Sequence, residues 1–376
     1  MTDRPILVHA ERLEHHSFGE GHPMGPGRVT RALELSRHLG LLDAFDIVDP
    51  PDVDRALLHQ VHDPAYIETI ENDEPASKYG YGSTDNPVSP GIGRVATAIA
   101  GATVEAARLV WEGKTRRAVN VAGGLHHAMP AETSGFCLVN DAAIAIRWLL
   151  DNGAQRVAYL DLDAHHGDGV QSIFWNDPRV LTISLHESPL HLFPHTGFAH
   201  ETGGTAARGL AVNVALPPIT TDEEWLQALS FISHPLLEKF RPEVLVSQHG
   251  ADAHRRDTLT HMQLTMDGFA TGWRHARDLA ERHARGRWVA VGGGGYDLDT
   301  VARAWTHLVA TVSGADLDPT TKMPSKWLTN GSTTLGDGRA SALAAYEPGV
   351  EIHAWPQPPV VATSRKVFRH WGLEPW

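Results

Sequence analysis

Short apolar runs alternate with longer amphipathic stretches along this chain, and the alternation predicts strands and helices in turn. Residues 6–8, 45–48, 118–121, 157–160, 180–186, 211–214, 244–247 and 288–291 read as strands. Residues 33–42, 94–111, 140–150, 222–240, 266–285 and 300–313 carry helical periodicity. Asp63-Pro64 adds a capped helix start. Strands that are apolar throughout and separated by helices imply a parallel sheet covered on both faces. The expected fold is a single α/β domain with a central, mainly parallel sheet and an active site at the C-terminal ends of its strands. Residues 77–93 read as a long loop, a length that often serves function. Beyond about residue 315 periodicity fades while Pro and Trp become frequent. We therefore expect a main domain over 1–315 and a C-terminal extension, 316–376, wrapped on the same domain.

The polar residues gather where strands end. The apolar run at 157–160 gives way to Asp161-Leu162-Asp163-Ala164-His165-His166-Gly167-Asp168-Gly169. On an extended chain Asp161, Asp163 and His165 face one side. Two carboxylates and an imidazole at one spot are costly to desolvate unless a cation neutralises them, and a mixed O/N donor set suits zinc or a neighbouring transition metal. The competing reading of this segment alone, a polar turn, is the lesser one. Asp252, beyond the strand at 244–247, offers a third ligand and leaves a coordination position open. His126-His127 follow Gly123-Gly124, and two imidazoles oriented by Asp161 and Asp168 could serve as acid and base. The glycines at 292–295 allow a close backbone approach, and Tyr296 after them offers a phenol to a developing oxyanion. This glycine run matches neither the dinucleotide-binding nor the P-loop pattern.

Composition narrows the class. The chain has 376 residues, 42% hydrophobic and 20% charged, within the globular range. Acidic residues outnumber basic ones 45 to 32, a net charge of −13 that argues against binding nucleic acid. A single cysteine, Cys137, rules out an intrachain disulfide and a cysteine-based zinc site. Met1-Thr2-Asp3-Arg4-Pro5 holds no apolar leader, and no run approaches the ~20 apolar residues of a membrane span, so a cytoplasmic enzyme without a membrane partner is expected.

Taken together, Gly123-Gly124-Leu125-His126-His127-Ala128, Ser134-Gly135-Phe136-Cys137-Leu138-Val139-Asn140-Asp141, the block at 161–169, Leu192-Phe193-Pro194-His195-Thr196-Gly197, the stretch 248–252 and the stretch 292–296 resemble the zinc-dependent histone deacetylases. Within that family the resemblance is to the bacterial acetoin-utilisation type, and it spans residues ~20 to ~310. It implies that Asp163, His165 and Asp252 hold zinc, with iron(II) left open by the absence of thiolates. It implies that His127, backed by Asp168, is the general base and acid, that His126, backed by Asp161, keeps the site electrostatically poised, and that Tyr296 polarises the acetyl carbonyl. Phe136 and Phe193 would wall an acyl-lysine tunnel lined by Gly135, with Asp85 at its rim and Arg28 at its inner end. Potassium is expected at Asp161, Asp163, His165, Ser184 and Leu185, and a second potassium at Phe174, Asp177 and Val180. Leu125 and His195 depart from the family pattern beside the site, which bears on substrate preference.

The implied reaction is hydrolysis of N-acetyl-lysine, with an acetylated metabolic enzyme such as an acyl-CoA synthetase as the expected target and acetylpolyamine as the alternative. Arginase-type ureohydrolases share the Asp-Ala-His arrangement but need an aspartate where this chain has Gly167. An inactive binding module is disfavoured because every expected catalytic residue is present. Acyl-chain preference and oligomeric state are left open.

Overall fold

Every strand pairing in the sheet is parallel. The structure is a computed structural model that describes residues 4–330 and 332–376. Residues 1–3, the start of the stretch expected to lack an apolar leader, lie outside the described residues. Among the described residues there are eight strands: β1 (Ile6–Val8), β2 (Asp46–Val48), β3 (Arg117–Asn120), β4 (Val157–Asp161), β5 (Val180–Glu187), β6 (Ala211–Leu216), β7 (Val244–Gln248) and β8 (Trp288–Val291). They form one sheet in the order β2-β1-β3-β8-β7-β4-β5-β6. The helices are α1 (Arg28–His38), α2 (Arg55–Val61), α3 (Pro64–Glu71), α4 (Ile92–Trp111), α5 (Asp141–Asp151), α6 (Asp168–Ile173), α7 (Asp222–Phe240), α8 (Met266–His283), α9 (Leu298–Ser313) and α10 (Pro358–Val367).

Apart from the exposed edge strand β2, the strands are largely buried on both faces. In β4, Val157 and Tyr159 join a core with residues of α4 and α5, while Ala158 and Leu160 join the opposite core with residues of α7, α8 and α9. That period-two division explains a run with no polar position until Asp161. Local signals set the helix starts. Asp63 accepts from the backbone N–H groups of Ala65 and Tyr66 to open α3, and Thr221 with Glu224 closes a capping box at α7.

Strand β4 runs to Asp161, one residue past the apolar run read as a strand. The chain leaves β4 at Asp161, so Asp163 and His165 stand on a loop. They do not continue the alternation of an extended strand. Helices α2, α6 and α10 were not anticipated. The first two are seven and six residues long, too short for periodicity to show, whereas α10 opens on a Pro-Pro pair at its first turn, a start signal in its own right.

Past residue 315 the chain returns to the main core. Val360, Val367 and Phe368 belong to the core cluster that contains β6, and Thr363 Oγ1 donates to the Asn213 carbonyl over 2.6 Å. No helix among the described residues is long and apolar enough to cross a membrane.

Candidate active site

Because β3, β8, β7, β4 and β5 are consecutive neighbours, their C-terminal loops converge on one region. The loop after β3 brings His126 and His127, the end of β4 and the loop after it Asp161 to Asp168, the loop after β7 Asp252, that after β8 Tyr296, and that after β5 Phe193.

At its centre, one donor atom each from Asp163, His165 and Asp252 lies within 4.8 Å of the others, and all three residues are buried. The protein uses up the other oxygen of each carboxylate. Gln248 Nε2 and the Gly294 N–H donate to Asp163 Oδ2 over 2.6 and 2.8 Å, and the Ala164 N–H donates to Asp252 Oδ1 over 2.9 Å. Asp163 Oδ1 and Asp252 Oδ2 are left facing His165 Nδ1 at 3.1 and 2.9 Å. Burial, together with the charge of Asp163, pushes the Asp252 carboxyl up to about 7. Two carboxylates confined beside one imidazole carry an excess of negative charge, and a divalent cation would relieve it. The donor set therefore fits a metal of the zinc class. A side chain on Gly294 would collide with Asp252 Oδ2, which accounts for a glycine there.

The two histidines after β3 are held from behind. His126 Nδ1–H donates to Asp161 Oδ2 over 2.8 Å and His127 Nδ1–H donates to Asp168 Oδ1 over 2.6 Å. Burial works against the charged form of His126, but Asp161 and Asp163 outweigh it and push the group up to about 9. Burial, reinforced by the neighbouring His126, lowers His127 despite Asp168. The environments thus push the pair apart.

Sequence reasoning missed what holds the loop carrying these histidines. Asp141 is fully buried and accepts from the backbone N–H groups of Gly124 and Leu125 and from Thr103 Oγ1 at 3.0, 2.7 and 2.6 Å. Asn140 caps α5 through Oδ1 while its Nδ2 donates to the carbonyls of His126 and Ala128 at 3.0 and 3.1 Å. Asn140 and Asp141 stand at the start of the helix expected over 140–150, and that local role does not show what else their side chains bind.

Aromatic walls flank the pair. The Phe193 ring stands 5.1 Å from that of His127, and Phe136 stands 5.6 Å from Tyr296. Phe136 and Gly135 both have positive φ, 67° and 48°. A Cβ at Gly135 would collide with His127 Cδ2 and come within 2.9 Å of Phe193 Cε1. Asp85 is exposed at the rim, where its charge and backbone act on His22, whose ring stacks edge-on to Phe136 at 4.8 Å. His22 was not singled out from sequence.

Arg28 is buried behind the glycine run, donating from Nε to the Gly295 carbonyl at 2.7 Å and from Nη2 to that of Gly293 at 2.5 Å. Its guanidinium lies 5.6 Å from the Tyr296 ring. Burial, with Asp252 and Asp163 nearby, pushes the Tyr296 phenol well above its ordinary value, so it keeps its proton.

The candidate potassium residues are also placed. Asp161 and Ser184 are direct register partners on β4 and β5, with Leu185 next on β5. Phe174, Asp177 and Val180 share the turn before β5, where Asp177 is already bound by Arg179 at 2.6 Å. His195 adopts φ 64°, a left-handed conformation that glycine takes at less cost, while Leu125 is buried.

The profile of the Histone deacetylase domain matches residues 22–312, and the chain belongs to that family as a hydrolase of the deacetylase class. It is 36% identical over 331 residues to the acetoin utilization protein AcuC of Bacillus subtilis (strain 168), covering 86% of this chain and 85% of that protein. It is 33% identical over 330 residues to AcuC of Staphylococcus xylosus, covering 86% of each. Among solved structures, an HDAC homolog from Aquifex aeolicus superimposes with TM-score 0.77 at 30% identity, over 86% of this chain and 87% of that one. An HDAC homolog complexed with SAHA gives TM-score 0.77 at 29% identity, over 89% and 94%.

Proposed function

We propose that this chain hydrolyses N-acetyl-lysine side chains, with Asp163, His165 and Asp252 holding zinc. The convergence of Asp163 Oδ1, Asp252 Oδ2 and His165 Nδ1, each facing the others, carries the reading. A divalent cation held there supplies Lewis-acid polarisation of the amide carbonyl and a lowered water pKa.

The chain's own residues do the rest. The walls of Phe136 and Phe193 admit a neutral, extended acyl-lysine arm and disfavour a charged one. His127, oriented by Asp168, takes the proton of the attacking water at Nε2 as the C–O bond forms, and returns it to the lysine nitrogen as the C–N bond breaks. The protonated Tyr296 phenol donates to the carbonyl oxygen as it gains charge. His126, with Asp161 behind it, stays beside the carboxylates and balances their charge. Arg28 holds the glycine run that carries Tyr296, and Asp85 meets the substrate backbone at the rim. Potassium beside Asp161, Asp163, His165, Ser184 and Leu185 belongs to the same proposal. At Phe174, Asp177 and Val180, Arg179 already occupies the Asp177 carboxylate, leaving main-chain oxygens as donors.

The similarity to acetoin utilization proteins supports an acetylated metabolic enzyme, such as an acyl-CoA synthetase, as substrate. Gly167 supports one metal at this site. A Cβ at Gly167 would collide with Asp161 Oδ2, so the extra carboxylate of a ureohydrolase has no room.

The test is metal content measured with turnover of an acetyl-lysine peptide, an acetylated acyl-CoA synthetase and an acetylpolyamine, before and after chelation and zinc return. Zinc-dependent release of acetate from the acylated protein is expected. Acetate from the polyamine alone would replace the substrate, and no acetate from any of the three would overturn the proposal.

A further inference from the structure

Away from these loops, α7, α8 and the segment at 349–352 enclose a cleft of about 700 Å³. His234, His275, His283 and Glu238 line it, and none of them belongs to the active site. His283 lies on the last turn of α8, which leads into β8, so this side chain stands toward the N-terminal edge of the sheet. The catalytic loops leave the opposite edge.

His234 Nδ1 lies 3.4 Å from His283 Nε2. That is long for a hydrogen bond, whose usual separation is ~2.9–3.0 Å. It is, however, the spacing of two ligands on one tetrahedral metal. With metal–nitrogen bonds of ~2.0–2.1 Å, two tetrahedral nitrogens stand ~3.3–3.4 Å apart.

Glu238 follows His234 by four residues on α7, which puts both on one helix face, and its charge acts on both imidazoles. His275 also lines the cleft, 2% exposed and with an Nδ1 that has no hydrogen-bond partner, but its ring nitrogens do not converge with those of His234 and His283 into a set of three. Burial followed by the neighbouring His283 lowers His234 to about 4, and burial lowers His283 as well, so both are neutral and carry lone pairs near pH 7.

We propose that His234 and His283, completed by Glu238, form a second metal site for a divalent cation of the zinc class, tying α7 to α8. Asp163, His165 and Asp252 are the one set of three whose donors already converge among the described residues. In the cleft two nitrogens are in place, and Glu238, exposed on its helix, turns in on binding. The role is structural: a cation that binds the folded state alone raises its stability.

The experiment takes the full chain equilibrated with micromolar zinc, and measures metal per chain, thermal midpoint and deacetylase turnover. Wild type should hold two zinc ions. His283→Gln and His234→Gln should each hold one, with turnover unchanged and without the rise in midpoint that the second equivalent gives wild type. One zinc in wild type, or two in both variants, overturns the proposal. If a histidine variant fails to fold, Glu238→Gln decides: second-site affinity should fall by about tenfold or more, and unchanged affinity overturns the assignment.

Discussion

His127 donates from Nδ1 to Asp168 Oδ1 over 2.6 Å, between two residues that are both buried. The bond fixes the tautomer and leaves Nε2 to move protons. Asp168→Asn keeps the shape but no longer selects that tautomer or stabilises the imidazolium. We predict a fall in kcat of about 10²-fold or more with KM and metal content little changed, since general acid–base catalysis contributes ~10²–10⁴-fold. Steady-state kinetics with an acetyl-lysine peptide checks this, and a kcat within twofold of wild type would remove Asp168 from the proposed mechanism.

Tyr296 directly follows a glycine run in which the carbonyls of Gly293 and Gly295 are held by Arg28. Tyr296→Phe deletes one hydroxyl and leaves the ring packed on Phe136. Turnover should drop by ~10²–10³, the usual loss for one oxyanion donor, while metal analysis still finds the ion. Loss of metal together with activity would show a different role.

Gly135 packs against His127 and Phe193 in the wall of the proposed tunnel. Its φ of 48° disfavours a side chain, and an added Cβ has only His127 and Phe193 to push against. Gly135→Ala should therefore lower kcat by displacing His127 and raise KM by narrowing the tunnel, together costing about 10²-fold in kcat/KM. Wild-type constants for the variant would contradict the tunnel geometry.

Much of this architecture can be read from the chain because its two governing patterns are local. Runs such as Trp288–Val291 are uniformly apolar since both sheet faces are covered, and Asp222–Phe240 has its cap, acidic turn and periodicity in one window. The site residues are legible for a different reason: their chemistry is unusual at strand ends. What is not legible depends on contacts distant in sequence. Nothing around Asp141 reveals that its carboxylate binds backbone 16 and 17 residues earlier. Nothing near His22 reveals Phe136 across the rim. The Asp161 carboxylate likewise meets His126 from a loop distant in sequence, beside Tyr159, which donates to the same oxygen at 2.8 Å.

The weakly patterned tail supplies one more such contact. Asp337 accepts from Arg303 Nη1 and His254 Nε2, each over 2.8 Å, and from the N–H of Met266 over 3.0 Å. His254 is two residues past the proposed ligand Asp252, so the tail braces the loop that carries it. Burial opposes ionisation of Asp337, but the hydrogen bond from His254 and the charge of Arg303 outweigh it and hold the carboxyl well below the usual carboxylate range. Arg303 is 1% exposed and already has Nε and Nη2 without partners. Asp337→Asn therefore leaves a buried guanidinium without its counter-charge, and should destabilise the fold by about 3 kcal/mol at pH 7. Because the folded pKa is depressed, the ionised Asp337 contributes fully above the unfolded value of ~3.9, and that contribution is lost as pH falls below it. The difference in unfolding free energy between wild type and variant should be flat from pH 5 to 8 and narrow below about pH 4. Urea denaturation across that range decides the matter: an equally stable variant at pH 7, or a gap that widens with acid, would show that Asp337 does not carry the charge this site depends on.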